Sequence, residues 1–316
     1  MESHRAHRRA RPPRRRPLLY TVLATAVIVG GTAAGTAYVK AQAHADAGTV
    51  SSSATPSASA PASEEASVEP AAAPSVDRKA LLAKAMKSVT VEDGADVSVA
   101  VLDLDSADSA SYGDGTFDTA SIVKVDILAT LLLQAQDANR QLTAQEKTYA
   151  TAMIENSDNT SASALWAAIG RADGLGSANQ RFGLEGTEGG DGELWGLTQT
   201  TAADQLALLQ QVFGDDSELS EASRTYLQGL MGEIATDQHW GVSAAADGSK
   251  WALKNGWLAR STTGLWDINS IGRVTVNGHA YLVAVLSNGH TTKAKGVSLV
   301  EAAAQAALSA FEDSAG

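Results

Sequence analysis

The chain contains no cysteine, and this absence excludes several kinds of protein at once. It has no disulfide framework and no lipid-modified cysteine anchor. Histidine is also scarce in the part with a folding pattern, where the chain has His239, His279 and His290. No two of these lie at the spacing of metal ligands, so we predict no metal site and no cofactor.

Charge is distributed very unevenly along the sequence. The net charge is −12, yet residues 1–16 hold seven arginines and one glutamate and so carry +6. The rest of the chain therefore carries −18. A body with that charge repels phosphate, which excludes nucleic acid as a partner. We interpret residues 1–16 as a basic cytoplasmic N-terminus that sets membrane topology.

Residues 17–39 lack charge completely and are rich in Leu, Val, Ala, Thr and Gly. The segment is long enough for the ~20 residues that span a bilayer. Arg15-Arg16 before it is compatible with a twin-arginine signal, and residues 41–43 offer an A-x-A cleavage sequence. We predict that residues 17–43 are an export signal or a membrane anchor. The folded part is then extracytoplasmic, either secreted or anchored to the membrane.

Residues 44–76 form a Ser/Ala/Pro-rich stretch with very few large apolar side chains. Such a segment cannot bury enough surface to offset its ordering entropy, so we predict a disordered linker. The remaining residues, 77–316, suit a single domain, which we expect to be a monomer.

Within that domain the element order favours an α/β (α+β) fold. The pattern predicts helices at 78–88 and 297–311, a strand at 97–104, and strands at 272–276 and 280–286. The last two strands flank Asn277-Gly278, a strong hairpin signal. This order fits an antiparallel sheet with its terminal helices on one face.

The first chemical motif is Ser121-Ile122-Val123-Lys124, which opens an apolar run predicted to be a buried helix over 122–133. Ser121 is then placed in the first turn, where free N–H groups favour a developing anion. Lys124 lies on the same face, three residues on. Burial lowers the pKa of a lysine, so Lys124 is a candidate base for the Ser121 hydroxyl.

The second motif, Ser157-Asp158-Asn159, is predicted to be a loop between two helices. The Ser157 hydroxyl can pass a proton to a leaving nitrogen, and the Asn159 amide can orient both Lys124 and a substrate carbonyl. Asp158 is expected to point inward and hold the turn.

The third motif, Lys254-Asn255-Gly256, ends a predicted strand over 250–254. Lys254 offers positive charge for a substrate carboxylate, and Gly256 permits close approach of a substrate. The N–H groups of Trp257 and Ser121 are candidate oxyanion donors.

Together these motifs resemble the S-x-x-K, S-D-N and K-T-G elements of class A β-lactamases and penicillin-binding proteins. The resemblance implies a β-lactamase/transpeptidase-like fold, in which an antiparallel sheet flanked by helices lies beside an all-helical region. The active site is then in the cleft between them. It also implies Ser121, Lys124, Ser157 and Lys254 as catalytic residues. Residues expected to bind substrate are Asn159, Asn255, Gly256 and Trp257.

The chain departs from that family pattern in three ways. Asn255 replaces the usual Thr or Ser, although an amide can still donate a hydrogen bond to a carboxylate. No E-x-x-L-N segment occurs between 170 and 201, where only Glu185, Glu188 and Glu193 are available as substitute bases for deacylation. Members of that family often carry an arginine that binds a substrate carboxylate. The nearest candidate in this chain is Arg260, to which we assign no role.

Trp195, like three other tryptophans, is expected to pack in the core or anchor a loop.

We therefore expect an exported or anchored serine hydrolase or acyl transferase that acts on a peptide or β-lactam-like substrate, with peptidoglycan as a candidate. The first alternative is a non-catalytic envelope protein that binds peptidoglycan peptides or a protein partner. The second is a genuine β-lactamase with a substitute deacylation base.

Overall fold

The structure is a computed structural model that describes residues 76–312. The predicted segments 1–16 and 17–43, and all of the predicted linker except Val76, lie outside the described residues. Within residues 76–312, no helix combines the length and the apolar character needed to cross a bilayer.

A five-stranded antiparallel sheet lies at the centre of the described chain. Its strands are β1 (Asp96–Asp103), β2 (Ser109–Tyr112), β5 (Trp251–Ala259), β6 (Trp266–Val276) and β7 (His279–His290). Their order is β2-β1-β7-β6-β5, which leaves β5 as an edge strand. The short strands β3 (Phe117–Asp118) and β4 (Gln199–Thr200) pair with each other in a separate sheet.

Helices cover both faces of the large sheet. They are α1 (Arg78–Met86), α2 (Val123–Asp137), α3 (Ala144–Glu155), α4 (Asn159–Ile169), α5 (Arg171–Phe182), α6 (Ala202–Phe213), α7 (Glu221–Gly232) and α8 (Lys293–Glu312). Successive residues of β1 pack into two different hydrophobic cores, one on each face of the sheet, because side chains alternate across a strand. Val99 and Val101 pack with α1 and α8, while Ala100 and Leu102 pack with the helical region that contains α2. The predicted fold class is confirmed.

Helix α2 is buried along nearly all its length, because its sequence offers almost no polar face. The predicted buried helix is therefore confirmed, but its start is corrected. Phe117–Asp118 is strand β3, which pairs with β4, and a single 3-10 turn (Ala120–Ile122) precedes the helix. Ser121 thus lies in this 3-10 turn and not in the first α-helical turn.

The predicted hairpin is also confirmed, with strands longer than expected. Asn277 and Gly278 both have positive φ, +52° and +86°, as a type I′ turn requires. Strands β6 and β7 pair beyond the predicted limits, from Val276↔His279 out to Trp266↔His290. A hydrophobic pattern underestimates strands whose ends carry polar residues.

Strand β5 does not end at Lys254 as predicted. It continues to Ala259 and stays paired with β6 throughout, so Lys254-Asn255-Gly256 lies in the middle of an edge strand. Gly256 is tolerated there because another backbone segment packs directly against it.

Candidate active site

The turn that carries Ser121 is held in a strained and well-anchored conformation. Ala120, just before it, has φ +48°, which is uncommon for a residue with a side chain. Buried Asn269 on β6 donates from Nδ2 to the carbonyl oxygens of Asp118 at 2.9 Å and Thr119 at 3.1 Å. The sheet thereby fixes the backbone beside Ser121, whose own exposed fraction is 9%.

Lys124 is completely buried one turn after Ser121. Its Nζ donates to the carbonyl oxygen of Ser157 at 2.7 Å, to Ser157 Oγ at 3.1 Å and to Asn159 Oδ1 at 2.8 Å. Burial lowers the pKa of Lys124 to about 7, although the negative charge of Asp158 opposes that shift. The structure thus brings the first two predicted motifs together around one amine that can exchange a proton near neutral pH.

The loop between α3 and α4 carries Ser157 and Asp158 of the second motif, as predicted, but Asn159 is the first residue of α4. Asp158 caps α4 by accepting a hydrogen bond from the Ser161 amide at 2.6 Å. Hydrogen bonds from the Ser161 side chain and, to a lesser extent, from this amide lower the pKa of the Asp158 carboxyl. Asp158 holds the turn but is half-buried and does not point inward as expected. Ser157 has φ +55°, so this loop is strained beside Lys124.

Gly256 is required because the turn that carries Ser121 lies against it. A Cβ atom at Gly256 would come within 2.6 Å of the Thr119 carbonyl oxygen and 2.9 Å of the Ser121 nitrogen. The close approach predicted for a substrate is therefore made by the protein backbone. It brings the Ser121 amide next to edge strand β5, where alternate N–H groups point away from the sheet. Trp257 follows directly, so the geometry is compatible with the predicted pair of oxyanion donors.

Lys254 and Asn255 lie in quite different surroundings from those predicted. Lys254 is completely buried, and its Nζ donates to Gln238 Oε1 at 3.4 Å and to the Asn255 carbonyl oxygen at 3.1 Å. Burial, reinforced by the charge of Lys124, sets its pKa well below the usual lysine value. Its predicted role as an electrostatic anchor stays a prediction.

The expected substrate contact of Asn255 needs correction. Its Nδ2 donates to the carbonyl oxygens of Gln238 at 2.8 Å and Trp240 at 3.0 Å, and the residue is fully buried. Side chains alternate along a strand, so residue 255 faces away from Lys254 and Gly256. In this structure Asn255 holds the 238–240 segment and offers no free donor to a substrate.

The three glutamates considered as deacylation bases are all exposed. Glu193 forms an ion pair with Arg171, 2.6 Å between Oε1 and Nη2, and Glu188 pairs through its backbone with Gln199. The hydrogen bonds and ion pairs of residues 76–312 link none of Glu185, Glu188 and Glu193 to Ser121 or Lys124. The loop therefore places no carboxylate in hydrogen-bond or ion-pair contact with the Lys124 amine.

An aromatic ring lies against this amine instead. The ring centre of Trp195 is 4.9 Å from Lys124 Nζ, and Trp195 Nε1 donates to Ser163 Oγ at 3.1 Å. A Cβ atom at Gly196 would lie 4.0 Å from the Cα of Ala120, so the turn that carries Trp195 packs against the residue before Ser121. Trp195 anchors the loop, as expected, and also covers one side of Lys124.

Arg260 is not free to bind a substrate. It forms an ion pair with Asp118, and its Nη1 lies 4.0 Å from Asp267 Oδ2. Asp118 also accepts a hydrogen bond from Gln199. Burial raises the pKa of Asp267 to about 6 even though Arg260 is close. Arg260 therefore connects the end of β5 to strand β3, which precedes the turn that carries Ser121.

A buried Ser–His pair, Ser287 and His290, lies at the end of β7 and does not form a catalytic site. Ser287 Oγ is 2.9 Å from His290 Nε2, and His290 Nδ1 is 3.7 Å from Glu92. Ser287 is fully buried and its hydroxyl donates to the Ile268 carbonyl oxygen at 2.6 Å, so the imidazole must be the donor toward it. Within residues 76–312 no three side chains of the types that bind metals are grouped to hold an ion.

A scan of protein-family models matches the one described as the beta-lactamase enzyme family over residues 139–311, which include the second and third motifs. The chain belongs to the beta-lactamase enzyme family. The matched residues start after Ser121 and Lys124, so those two are placed by the structure. No curated protein sequence matches the chain significantly.

Solved structures of similar fold agree with this family membership. The structure of PBP-A shares 22% sequence identity, covers 74% of this chain and 96% of its own, and has a TM-score of 0.64. TLA-1 extended-spectrum beta-lactamase has 18% identity, 74% and 98% coverage, and a TM-score of 0.64. A beta lactamase from Xanthomonas campestris has 20% identity, 74% and 97% coverage, and a TM-score of 0.59. At these identities the likeness establishes the fold alone.

Sequence reasoning did not single out Asn269 or Gln238, and it did not predict the contact of Trp195 with Lys124. Asn269 supports the turn that carries Ser121, Gln238 contacts Lys254, and Trp195 covers Lys124. All three depend on contacts between distant segments, and no local pattern marks them. The only available signal was the position of Trp195 within the glycine-rich stretch where the E-x-x-L-N segment is missing.

Proposed function

We propose that this member of the beta-lactamase family is a serine acyl hydrolase or acyl transferase that forms an acyl-enzyme at Ser121. Its proposed substrates are cell-wall peptides or related amides and esters. In this proposal Lys124 is the base, Ser157 is the proton relay, and Lys254 supplies local positive charge. Asn159 orients Lys124 and a substrate carbonyl.

The observation that carries the proposal is the buried Lys124 amine, with a pKa of about 7, in the first turn of α2 directly after the 3-10 turn that carries Ser121. A lysine with its ordinary pKa would be protonated at neutral pH and could not accept the serine proton. With a pKa near the operating pH, a large fraction of the amine is neutral. This supports Lys124 as the group that activates Ser121.

The proposed reaction follows from these contacts. Lys124 takes the proton of Ser121 Oγ as that oxygen attacks the substrate carbonyl carbon. The N–H groups of Ser121 and Trp257 stabilise the negative carbonyl oxygen. When the C–N bond breaks, Ser157 Oγ gives its proton to the leaving nitrogen and regains one from the Lys124 ammonium, to which it is already hydrogen-bonded. The product is an ester at Ser121 and a free amine.

Hydrolysis of that ester is proposed to be slow. A general base for water typically contributes 10²–10⁴-fold, and no carboxylate of the 183–200 loop contacts Lys124 or Ser121. Trp195 covers one side of Lys124, with its ring centre 4.9 Å from Nζ. A PBP-A variant is described as an acyl-enzyme complex with penicillin G, which supports a persistent adduct in this fold.

Two alternatives make different predictions. A non-catalytic envelope protein would have no need to keep a buried lysine beside a serine, because burying an amine without an ionic partner costs free energy. A genuine β-lactamase with a substitute base would need one of the loop glutamates at the site. Their exposure favours the acyl-enzyme proposal over that alternative.

We also propose that the domain acts outside the cytoplasmic membrane as a monomer. Protease added to intact protoplasts should digest the folded domain if residues 17–39 export or tether it. Complete protection would overturn the proposed location and the cell-wall substrate with it.

Labelling with a fluorophosphonate tests the proposed nucleophile. The full chain should gain one phosphonate, located on the Ser121 peptide by mass spectrometry, with loss of fluoride. Ser121→Ala should abolish the label, whereas Ser309→Ala, an exposed serine on α8, should not. Equal labelling of the wild type and Ser121→Ala, or no labelling of either, would support the binding-protein alternative.

A further inference from the structure

One asparagine of the central sheet holds the backbone just before Ser121. Asn269 on β6 is fully buried, and its Nδ2 donates to the carbonyl oxygens of Asp118 at 2.9 Å and Thr119 at 3.1 Å. An amide nitrogen has two donor hydrogens, so both are used on consecutive peptide groups. Its Oδ1 accepts from the Ser287 amide on β7 at 3.1 Å, which fixes the orientation of the side chain.

Asn269 and Gly256 contact the same peptide group from neighbouring strands. They are paired directly across β5 and β6, so they lie on the same face of the sheet. A Cβ atom at Gly256 would lie 2.6 Å from the Thr119 carbonyl oxygen, which is also an acceptor of Asn269. One strand therefore leaves room for the turn that carries Ser121, and the next strand supplies the donor that holds it.

The turn needs such support because of the conformation of Ala120, which has φ +48°. For a residue with a side chain this conformation is unfavourable, and it persists only where surrounding contacts impose it. The Thr119 carbonyl belongs to the peptide group before Ala120, and the Ser121 N–H belongs to the one after it. If Ala120 relaxed to negative φ, these two peptide groups would rotate relative to each other, and the Ser121 N–H would point in another direction.

We propose that Asn269 is a positioning residue that keeps the turn in the conformation in which the Ser121 N–H serves as an oxyanion donor. This inference rests on the proposed acyl-enzyme at Ser121 and concerns how its donor is held. Among residues 76–312, no other side chain donates to the carbonyl oxygens of Asp118 and Thr119. Without Asn269, the strain at Ala120 is opposed by fewer contacts.

The proton path and the oxyanion donor are then supported by different residues. The hydrogen bonds of Asn269 involve neither Lys124 nor Ser157. Removing an oxyanion donor outright typically slows a reaction by about 10²–10³-fold. Loss of Asn269 leaves the Ser121 N–H in place but misdirected part of the time, so the expected effect is smaller.

Acylation by penicillin G measures this effect in the full chain. Intact mass against time, at a series of penicillin concentrations, gives the maximal rate and the half-saturating concentration. Asn269→Ala should lower the maximal rate about tenfold to hundredfold and leave the half-saturating concentration nearly unchanged. The midpoint of the pH profile should also stay the same, because Lys124 keeps its surroundings. Asn179→Ala removes a buried asparagine of α5 as the matched control and should acylate normally.

Ala120→Gly distinguishes positioning from a general loss of stability. Glycine adopts positive φ without the penalty of a side chain, so the turn depends less on Asn269. Added to Asn269→Ala, this change should restore the maximal rate by about threefold to tenfold. In the wild-type background it should change the rate much less. A purely structural role for Asn269 predicts no such rescue.

Asn269→Ser retains a hydroxyl that can donate to one of the two carbonyls, so it should lose less activity than Asn269→Ala. It also provides the test if Asn269→Ala does not fold. A folded Asn269 variant that acylates at the wild-type rate would overturn the proposal. A loss of rate that Ala120→Gly does not relieve would overturn it as well.

Fluorophosphonate labelling separates this inference from the proposed function. If wild-type Ser121 takes the fluorophosphonate but the Asn269 variants react with penicillin G as the wild type does, only the positioning role fails. If no reagent labels Ser121 in the wild type, the proposed acyl-enzyme itself fails.

Discussion

The two walls of the cleft differ in what they offer to Ser121. The helical wall, formed by α2 and the α3–α4 loop, surrounds the Lys124 amine with Ser157 and Asn159 at hydrogen-bond distance. The loop wall, residues 183–200, presents the Trp195 ring and directs its glutamates to solvent. One wall carries groups that can move a proton, and the other carries an apolar cover.

This difference separates two steps that one active site often combines. Formation of an acyl-enzyme needs an activated hydroxyl and an exit path for a proton, and in our proposal Lys124 and Ser157 of the helical wall supply both. Hydrolysis of the ester also needs an activated water, for which the loop wall supplies no base. The contrast leads us to expect a site that acylates and then releases slowly.

The largest effect is expected from removing the Lys124 amine of the helical wall. Lys124→Ala should slow fluorophosphonate labelling of Ser121 by about 10²–10⁴-fold, because the neutral hydroxyl loses its base. Intact mass against time gives the rate. Lys147→Ala, an exposed lysine on α3, is the matched control and should label normally. Normal labelling of Lys124→Ala would remove Lys124 from the proposed mechanism.

The pH dependence of labelling tests Lys124 of the same helical wall. Only the neutral amine accepts a proton, so the rate should fall about tenfold for each pH unit below the Lys124 pKa of about 7 and level off above it. The sign follows from burial, which disfavours the charged form and lowers the pKa. A rate that stays flat from about pH 5 to pH 9 would contradict the assignment of Lys124 as the base.

Changing Trp195 tests the loop wall. Trp195→Ala should release an acyl group from Ser121 about tenfold faster, because water gains access beside Lys124. The midpoint of the labelling profile should also move to higher pH, since Lys124 becomes better solvated. Trp195→Phe keeps an aromatic cover and should stay close to the wild type. A faster release without a shift in the profile would indicate that Trp195 only anchors the loop.

The smallest effect concerns Asp126, a second buried titratable group on α2. Burial raises its pKa to about 7, with Asp204, which holds the loop at Gly186 and Thr187, adding to the shift. The folded state therefore binds more protons than the unfolded state between about pH 4 and 7, so stability falls as pH rises through that range.

Asp126→Asn should accordingly raise the free energy of unfolding by about 2–4 kcal/mol near pH 8. It should change this free energy little near pH 4, where the native carboxyl is also neutral. Denaturant titrations at both pH values measure it. A destabilised variant near pH 8 would mean that the Asp126 charge is compensated in the folded protein. Labelling of Ser121 should not change, because the groups that act on Asp126, namely Asn179, Thr130 and Asp204, include neither Ser121 nor Lys124.

Sequence reasoning predicted the parts that depend on local patterns. The apolar run after Ser121 predicted helix α2, and Asn277-Gly278 predicted the β6–β7 hairpin. The second motif was expected to orient Lys124, and Lys124 Nζ does donate to Ser157 and Asn159. Helical and strand periodicities fix the helix and the hairpin before any tertiary contact forms.

The rest depends on which long-range contact occupies each polar group. Nothing near Asn255 in the sequence says that its amide is used by the carbonyls of Gln238 and Trp240. The pairing of Arg260 with Asp118 joins residues far apart in the chain. The Trp195 ring contacts Lys124 only because the 183–200 loop folds back against the turn that carries Ser121.

The most direct test of the account is the lifetime of the acyl-enzyme. The wild-type chain is treated with saturating penicillin G until the mass adduct is complete, the excess is removed, and intact mass is followed at pH 7. The account predicts an adduct on the Ser121 peptide that persists for hours, with no change in Glu185→Gln, Glu188→Gln or Glu193→Gln. Rapid multiple turnover of penicillin that is lost in one of these variants would contradict it, and so would an adduct elsewhere than Ser121.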